Sequence, residues 1–301
     1  MINNKLIVIL GQTASGKTDL SIKLAKKFNG EIVSADSRQV YRGLNIGSGK
    51  ITKKEMTGIP HHLLDVANPK NRFSVSQYQK MATRAIEKIQ QKNKIPFLVG
   101  GTGFYIQSVV DGILIPEVKA NWNLRKKLEK KSTSELFLML KKLDSVRAQN
   151  IDAQNPVRLI RAIEIITQTK RPIPTLKNNS QFEALQLGIK KSPIELKKLI
   201  HKRLQKRIKG IITEVKKLHL PTGRQAKAGL SFKRLEELGL EYRFVAQYVQ
   251  QKITYQEMIE KLQQEIQHFA KRQMTWFKRD PKIHWVKNQK EAEKIIKNFL
   301  K

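Results

Sequence analysis

The stretch GQTASGKT at residues 11–18 constrains this chain more than any other feature. It fits the pattern G-x-x-x-x-G-K-[ST], in which glycines let backbone amides curl around an anion. Lys17 supplies a mobile positive charge, Thr18 offers a hydroxyl that can ligate Mg²⁺, and the following helix adds the dipole of its N-terminus. The flanks agree. Lys5–Leu10 is an apolar run of strand length, and Leu20, Leu24 and Phe28 then recur at every fourth position. Strand, loop and helix in that register imply an α/β fold. Gly11, Gln12, Thr13, Ala14, Ser15, Gly16, Lys17 and Thr18 are the candidate binding residues for a diphosphate or triphosphate. The motif specifies phosphates and not a reaction.

Two more short apolar runs follow. Glu31–Ala35 ends at Asp36, and Pro96–Val99 ends at Gly100-Gly101, with helical spacing over Ser76–Gln91 between them. Apolar, non-alternating strands separated by helices predict a doubly wound parallel sheet covered on both faces. Ligands in such sheets bind at the carboxyl ends of the strands. Asp36 at that edge is a helix N-cap, a metal ligand or a general base. The glycines of GGTGFY at 100–105 allow a backbone to approach a ligand, or make a tight turn, and Thr102 points a hydroxyl at the same crevice. Phosphate-loop hydrolases usually end a strand in an acidic residue that holds Mg²⁺. The third strand here ends in glycines, which argues against a motor or GTPase.

After about residue 117 the pattern turns helical and basic. Long helices are expected over Leu124–Lys142, Pro156–Thr167, Pro193–Leu218 and Thr254–Lys278. Ala184–Ile189 and Ile283–Val286 are candidates to rejoin the sheet, and residues 220–229 (LPTGRQAKAG) read as a surface loop. The expected organisation is a phosphate-loop core over 1–209 with a helical excursion near 118–183. A helical RNA-binding insertion near 210–268 and a return to the core over 269–301 complete it.

Charge points to a polyanion. Lys+Arg is 59 against 25 Asp+Glu, a net +34, of which residues 1–117 carry only +9. Nucleic-acid phosphates are the natural partner for such an excess, although a lysine-rich solvated surface gives the same count. Residues 271–280 (KRQMTWFKRD) interleave cations that can hold phosphates with aromatics that can stack on bases or fill a core. Arg125, Arg158 and Arg161 could face a polyanion. Arg203 and Arg207 share a helix face and could close over a diphosphate. His61-His62 is a poor metal pair, because neighbouring residues point apart, and a structural or substrate-positioning role is preferred. With no cysteine and no apolar run of about 20 residues, disulfides and a membrane span are not expected. A cytoplasmic location and a monomer are.

Taken in order, these segments resemble the tRNA dimethylallyltransferases, also called tRNA isopentenyltransferases. The resemblance runs through GQTASGKT at 11–18, DSRQVYRGLNIG at 36–47, GIPHHLLD at 58–65, FSVSQY at 73–78 and LVGGTGFY at 98–105. It continues with NPVRLIRAIEI at 155–165 and AKRQMTWFKRD at 270–280, and so covers nearly the whole chain. It implies dimethylallyl diphosphate on the Thr13–Thr18 loop with Mg²⁺ at Thr18, while Arg207 is a candidate diphosphate ligand from its helix face alone. The tRNA adenosine just 3′ of the anticodon is flipped into the crevice, with Asp36 as catalytic base and Thr102 near the bridging oxygen. Asp36, Ser37, Arg38, Gln39, Thr102, Arg125, Arg158, Arg161, Lys271, Arg272, Gln273 and Lys278 are the tRNA-gripping residues it implies. Three departures stand out. Gln12 replaces the family's usual proline, with little consequence expected. Residues 237–243 (ELGLEYR) replace its glycine-tyrosine-lysine-glutamate motif, and the 220–229 loop lacks a counterpart. A small-molecule or nucleotide kinase would share the loop and sheet, but it needs no basic helical half.

Overall fold

The computed structural model describes residues 4–113, 118–173, 179–220 and 229–301. The chain packs into two compact units, residues 113–179 and the rest. In the larger unit the chain runs β1 (Lys5–Gly11), α1 (Lys17–Lys27), β2 (Gly30–Ala35), the two-residue β3 (His61–His62), α2 (Val75–Gln91), β4 (Ile95–Gly100) and α3 (Gly103–Val110). The smaller unit supplies α4 (Trp122–Leu128), α5 (Thr133–Leu143), α6 (Ser145–Gln149) and α7 (Pro156–Thr169). The chain then returns to the larger unit with β5 (Glu183–Ile189), α8 (Pro193–His219), α9 (Phe232–Leu238), α10 (Leu240–Val249), α11 (Tyr255–Phe277), β6 (His284–Val286) and α12 (Gln289–Leu300).

All six strands pair in parallel, in the order β3-β2-β4-β1-β5-β6. This is the expected doubly wound sheet. Strand alternation sends Leu6, Val8 and Leu10 of β1 to one face, against α2, α3, α8, α10 and α11. Ile7 and Ile9 go to the other face, against α1 and α12. Both faces are buried, which is why β1 reads as an unbroken apolar run. β2, β3 and β4 are laid to one side of β1 and β5 and β6 to the other, so the carboxyl end of β1 is the topological switch point where such sheets bind ligands. The smaller unit has its own core of Leu128, Leu136, Leu140, Leu159, Ile160, Ile163 and Ile166.

Two expectations are corrected. The helix read over Leu124–Lys142 is two helices. Ser132 accepts the backbone N–H of Glu135, whose carboxylate reaches back to the Ser132 N–H, and this capping box starts α5 afresh. The boundary placed near 210 falls inside α8, which runs unbroken for 27 residues and packs with the sheet, so residues 210–268 belong to the larger unit. Of the 220–229 loop, residues 221–228 lie outside the described residues. No described helix is long and apolar enough to cross a membrane.

Candidate active site at the phosphate loop

The loop leaves β1 at Gly11 and enters α1 at Gly16, whose φ of 89° is open to glycine without strain. Its shape is fixed from the far end of the sequence. Gln12 Nε2 donates to the Ala270 carbonyl at 3.0 Å, and the Thr13 amide donates to Gln273 Oε1 at 2.8 Å. Gln273 Nε2 donates in turn to the Gly101 carbonyl at 2.9 Å. One glutamine of α11 thus ties the phosphate loop to the turn after β4.

That arrangement bears on three sequence readings. Gln273 is only 6% exposed, with both ends of its amide engaged inside the protein, so in this structure it braces the site. Gln12 is equally buried, and its side chain makes an anchor that the family's proline lacks. Its replacement therefore has a structural consequence, and its side chain does not face a diphosphate. The glycines after β4 fit closely against neighbouring protein atoms, and Gly100 also lines the cavity. A Cβ on Gly101 would lie 2.3 Å from Gln273 Nε2, one on Gly103 2.3 Å from Trp276 Cδ1, and one on Gly100 2.1 Å from the Ala35 carbonyl.

Beside the loop is a cavity of about 90 Å³ whose lining includes Thr13, Lys17, Thr18, Asp36, Gln39 and Arg203. Lys17 Nζ donates to the Gln12 carbonyl at 3.0 Å. Burial pushes its ammonium down to about 8, with Asp36 opposing the shift and Arg203 adding to it. Asp36 Oδ1 accepts the backbone N–H groups of Arg38 at 2.8 Å and Gln39 at 3.2 Å, a side-chain turn that fixes the carboxylate. The second carboxylate oxygen takes no hydrogen bond among the described residues. Thr102 Oγ1 accepts the Ser37 N–H at 3.0 Å, which joins the β4 turn to the Asp36 turn.

Only one of the two α8 arginines faces this cavity. Arg203 lines it and reaches Thr13 Oγ1 at 3.4 Å. Arg207, the arginine expected on the diphosphate, donates instead to the carbonyls of Ile46 and Gly47. Its burial, with Arg203 beside it, lowers its pKa. The segment it holds is caught from the other side by Glu214. That carboxylate accepts the backbone N–H groups of Asn45 at 2.9 Å, Ile46 at 2.6 Å and Gly47 at 2.9 Å. Tyr242 donates its hydroxyl to Glu214 Oε1 at 2.8 Å and accepts the Ser48 N–H at 3.1 Å. Burial and the Glu214 carboxylate push the Tyr242 phenol well above its ordinary range. Ser48 and Gly49 line the cavity. The divergent segment 237–243 therefore contributes a brace for the cavity wall. Sequence reasoning missed Glu214, although an acidic residue at a buried position of a lysine-rich helix was a signal.

The remaining candidates divide. In the smaller unit, Arg125 and Arg161 both pair with the fully buried Glu164, and Arg161 also donates to the Val118 carbonyl. Their guanidiniums satisfy a buried carboxylate, a structural role that their reading as RNA contacts did not include. Arg158 is exposed and stands 3.6 Å from Asp152. In the larger unit, Lys271, Arg272 and Lys278 are exposed, while Phe277 is core. Trp276 packs edge-on against Phe104, with ring centroids 6.2 Å apart. His62 bonds the buried Glu31 at 2.7 Å. Burial opposes ionisation of that carboxylate, yet hydrogen bonds from Lys94, His62 and Lys92 hold its pKa down to about 2. His61 lines the cavity, its Nδ1 on the Ile59 carbonyl at 2.8 Å and its Nε2 without a partner among the described residues.

A glycine loop at the switch point of a parallel sheet, with lysine, hydroxyl and carboxylate on one cavity, defines a phosphate-loop protein. Comparisons with known proteins narrow the class. The model of the IPP transferase family matches residues 39–280. A tRNA dimethylallyltransferase of Carboxydothermus hydrogenoformans is 40% identical over 99% of this chain and 97% of its own. Among solved structures, the full-length tRNA isopentenylpyrophosphate transferase of Bacillus halodurans superposes with a TM-score of 0.70 at 34% identity, covering 99% of this chain and 95% of its own. A eukaryotic dimethylallyltransferase acting on tRNA gives 0.72 at 28% identity, over 91% of this chain and 69% of its own. This chain belongs to the IPP transferase family.

Proposed function

We propose that this chain is a tRNA dimethylallyltransferase, acting as a cytoplasmic monomer. It moves a dimethylallyl group from dimethylallyl diphosphate to N6 of the adenosine immediately 3′ of the anticodon, releasing diphosphate. The observation that carries the reading is the shared cavity. Asp36, one of whose oxygens is uncommitted among the described residues, lines the same cavity as Lys17, Thr18 and Arg203. A base and a diphosphate cradle on one cavity suit a displacement at the carbon joined to the diphosphate.

In that step N6 bonds to the prenyl C1 as the bond from C1 to the bridging oxygen breaks. Asp36 takes the N6 proton, which an exocyclic amine must lose. Charge gathering on the leaving diphosphate is met by Lys17, Arg203 and the free amides of the first turn of α1. Thr102, with its oxygen fixed by Ser37, keeps its own hydroxyl proton for the bridging oxygen. Among the described residues no three His, Cys, Asp or Glu side chains group to hold a metal. Thr18 and Asp36 line the cavity, a hydroxyl and a carboxylate whose chemistry suits an ion shared with phosphate oxygens. Mg²⁺ bound at Thr18 would supply further charge neutralisation. The Asp36–Gln39 turn, Arg158, Lys271, Arg272 and Lys278 are offered to the tRNA, whose contacts must offset the few kcal/mol of flipping a base.

The test is prenyl transfer from labelled dimethylallyl diphosphate with Mg²⁺ to unmodified tRNA, against a tRNA with guanosine at the target position. Label on the first RNA alone is expected. Label on both, or on neither, refutes the assignment.

A further inference from the structure

α8 is the most lopsidedly charged element of the larger unit. Its buried face is Leu196, Ile200, Leu204, Ile208, Ile211 and Val215. On the opposite face stand Lys198, Lys202, Lys206, Lys209 and Lys216, all exposed, with only the uncharged Thr213 interrupting the row. Successive spacings of four, four and three residues put the first four on one stripe. From Lys198 to Lys216 the row runs about 27 Å at 1.5 Å per residue. None of the five forms an ion pair among the described residues, whereas Lys191, just before the helix, pairs with Glu195. Like charges at such spacing weaken a helix. By contrast, α12 alternates Lys290, Lys294 and Lys297 with Glu291 and Glu293, the ordinary way to solvate a helix.

The stripe is also placed with respect to the cavity. Arg203, one residue from Lys202, lines it. Lys206 and Arg203 both act on the carboxylate of Glu55, which follows the exposed Lys53 and Lys54 in the loop beyond the cavity residue Ile51. A row of ammonium groups repeating about once per helical turn, far longer than any single anionic group, matches a strand of repeating phosphates.

We infer that the exposed lysine stripe of α8 binds the phosphate backbone of the RNA whose base enters the cavity. This rests on the tRNA reading above and extends it to a surface outside the cavity. Neutralising each phosphate contact releases counterions, so each one steepens the salt dependence of binding.

The experiment compares wild type with the quadruple variant Lys198→Gln/Lys202→Gln/Lys206→Gln/Lys209→Gln. A double variant, Lys198→Gln/Lys202→Gln, and a control on α12, Lys290→Gln/Lys294→Gln/Lys297→Gln, complete the set. Binding of unmodified tRNA is titrated at several salt concentrations, alongside KM for tRNA and for dimethylallyl diphosphate. The slope of log affinity against log salt should fall by about 3 in the quadruple variant and by about half that in the double, at ~0.7–0.9 per phosphate. KM for tRNA should rise with it, while KM for dimethylallyl diphosphate and the control's slope stay put. An unchanged slope in both stripe variants, with wild type binding tRNA normally, overturns the inference and leaves the function standing. Loss of binding to anionic vesicles with tRNA binding untouched would assign the stripe to membranes and likewise overturn it. Wild type that binds no tRNA would sink the functional reading itself.

Discussion

Replacing Glu214 by alanine should loosen the cavity wall at a predictable magnitude. Four donors lose their acceptor: the backbone N–H groups of Asn45, Ile46 and Gly47, and the Tyr242 hydroxyl. Asn45 and Ile46 are exposed residues, so water can recover their amides, whereas Gly47 and Tyr242 are buried. An unsatisfied buried donor costs about 1–3 kcal/mol, and two of them give about 2–6 kcal/mol. That is a large share of a domain's usual total of about 5–15 kcal/mol. Tyr242→Phe removes one hydroxyl and leaves the Ser48 amide near solvent, so it should cost nearer 1 kcal/mol. Equilibrium urea unfolding, read as a shift in midpoint at constant slope, measures both. The double variant should lose less than the sum of the singles, because the two side chains share one bond. Ser48 and Gly49 line the cavity, so KM for the diphosphate substrate should rise in Glu214→Ala. A loss under 1 kcal/mol, or strict additivity with Tyr242→Phe, would refute the idea that this carboxylate organises the segment.

Three shorter expectations follow. Asp36→Asn keeps an oxygen to accept the Arg38 and Gln39 amides, so the turn and tRNA affinity should survive while turnover falls by orders of magnitude; near-normal single-turnover rates would remove Asp36 as the base. Lys17, with its pKa held down to about 8, is charged below that pH and neutral above it. Affinity of the free protein for the diphosphate should therefore fall as pH rises through 8, and in Lys17→Ala that part of the profile should be flat when followed by calorimetry. Gly101→Ala drives a methyl into Gln273 Nε2, and thermal unfolding should show a loss of about 1–3 kcal/mol with weakened diphosphate binding; a variant of wild-type stability would show that the brace is not tight.

What could be read from the sequence followed from local physics. β1, β2 and β4 are buried on both faces, so their apolar runs announced a covered parallel sheet, and the glycine loop announced its own conformation. Asp36 and Thr102 were legible because strand ends at one sheet edge must converge. The bracing was not legible. Nothing near Gln273 in sequence shows that both ends of its amide meet loops some 170 and 260 residues away. Arg125 and Arg161 looked available to RNA because the burial of Glu164 depends on how α4 and α7 pack. The break before α5 was legible in principle, since Ser132 and Glu135 have capping-box spacing, but helical periodicity on both sides masked it.

The link from Gln12 and Thr13 to Ala270 and Gln273 also sets a clock on biosynthesis. The loop sequence is synthesised some 260 residues before the side chain that holds its shape. At about 5–20 residues per second, that is a delay of roughly 13–50 seconds. Throughout it the nascent chain carries the phosphate-binding motif without the brace that shapes it. The loop therefore reaches its braced shape only once α11 is made, so a chain that stops before α11 should hold a diphosphate poorly.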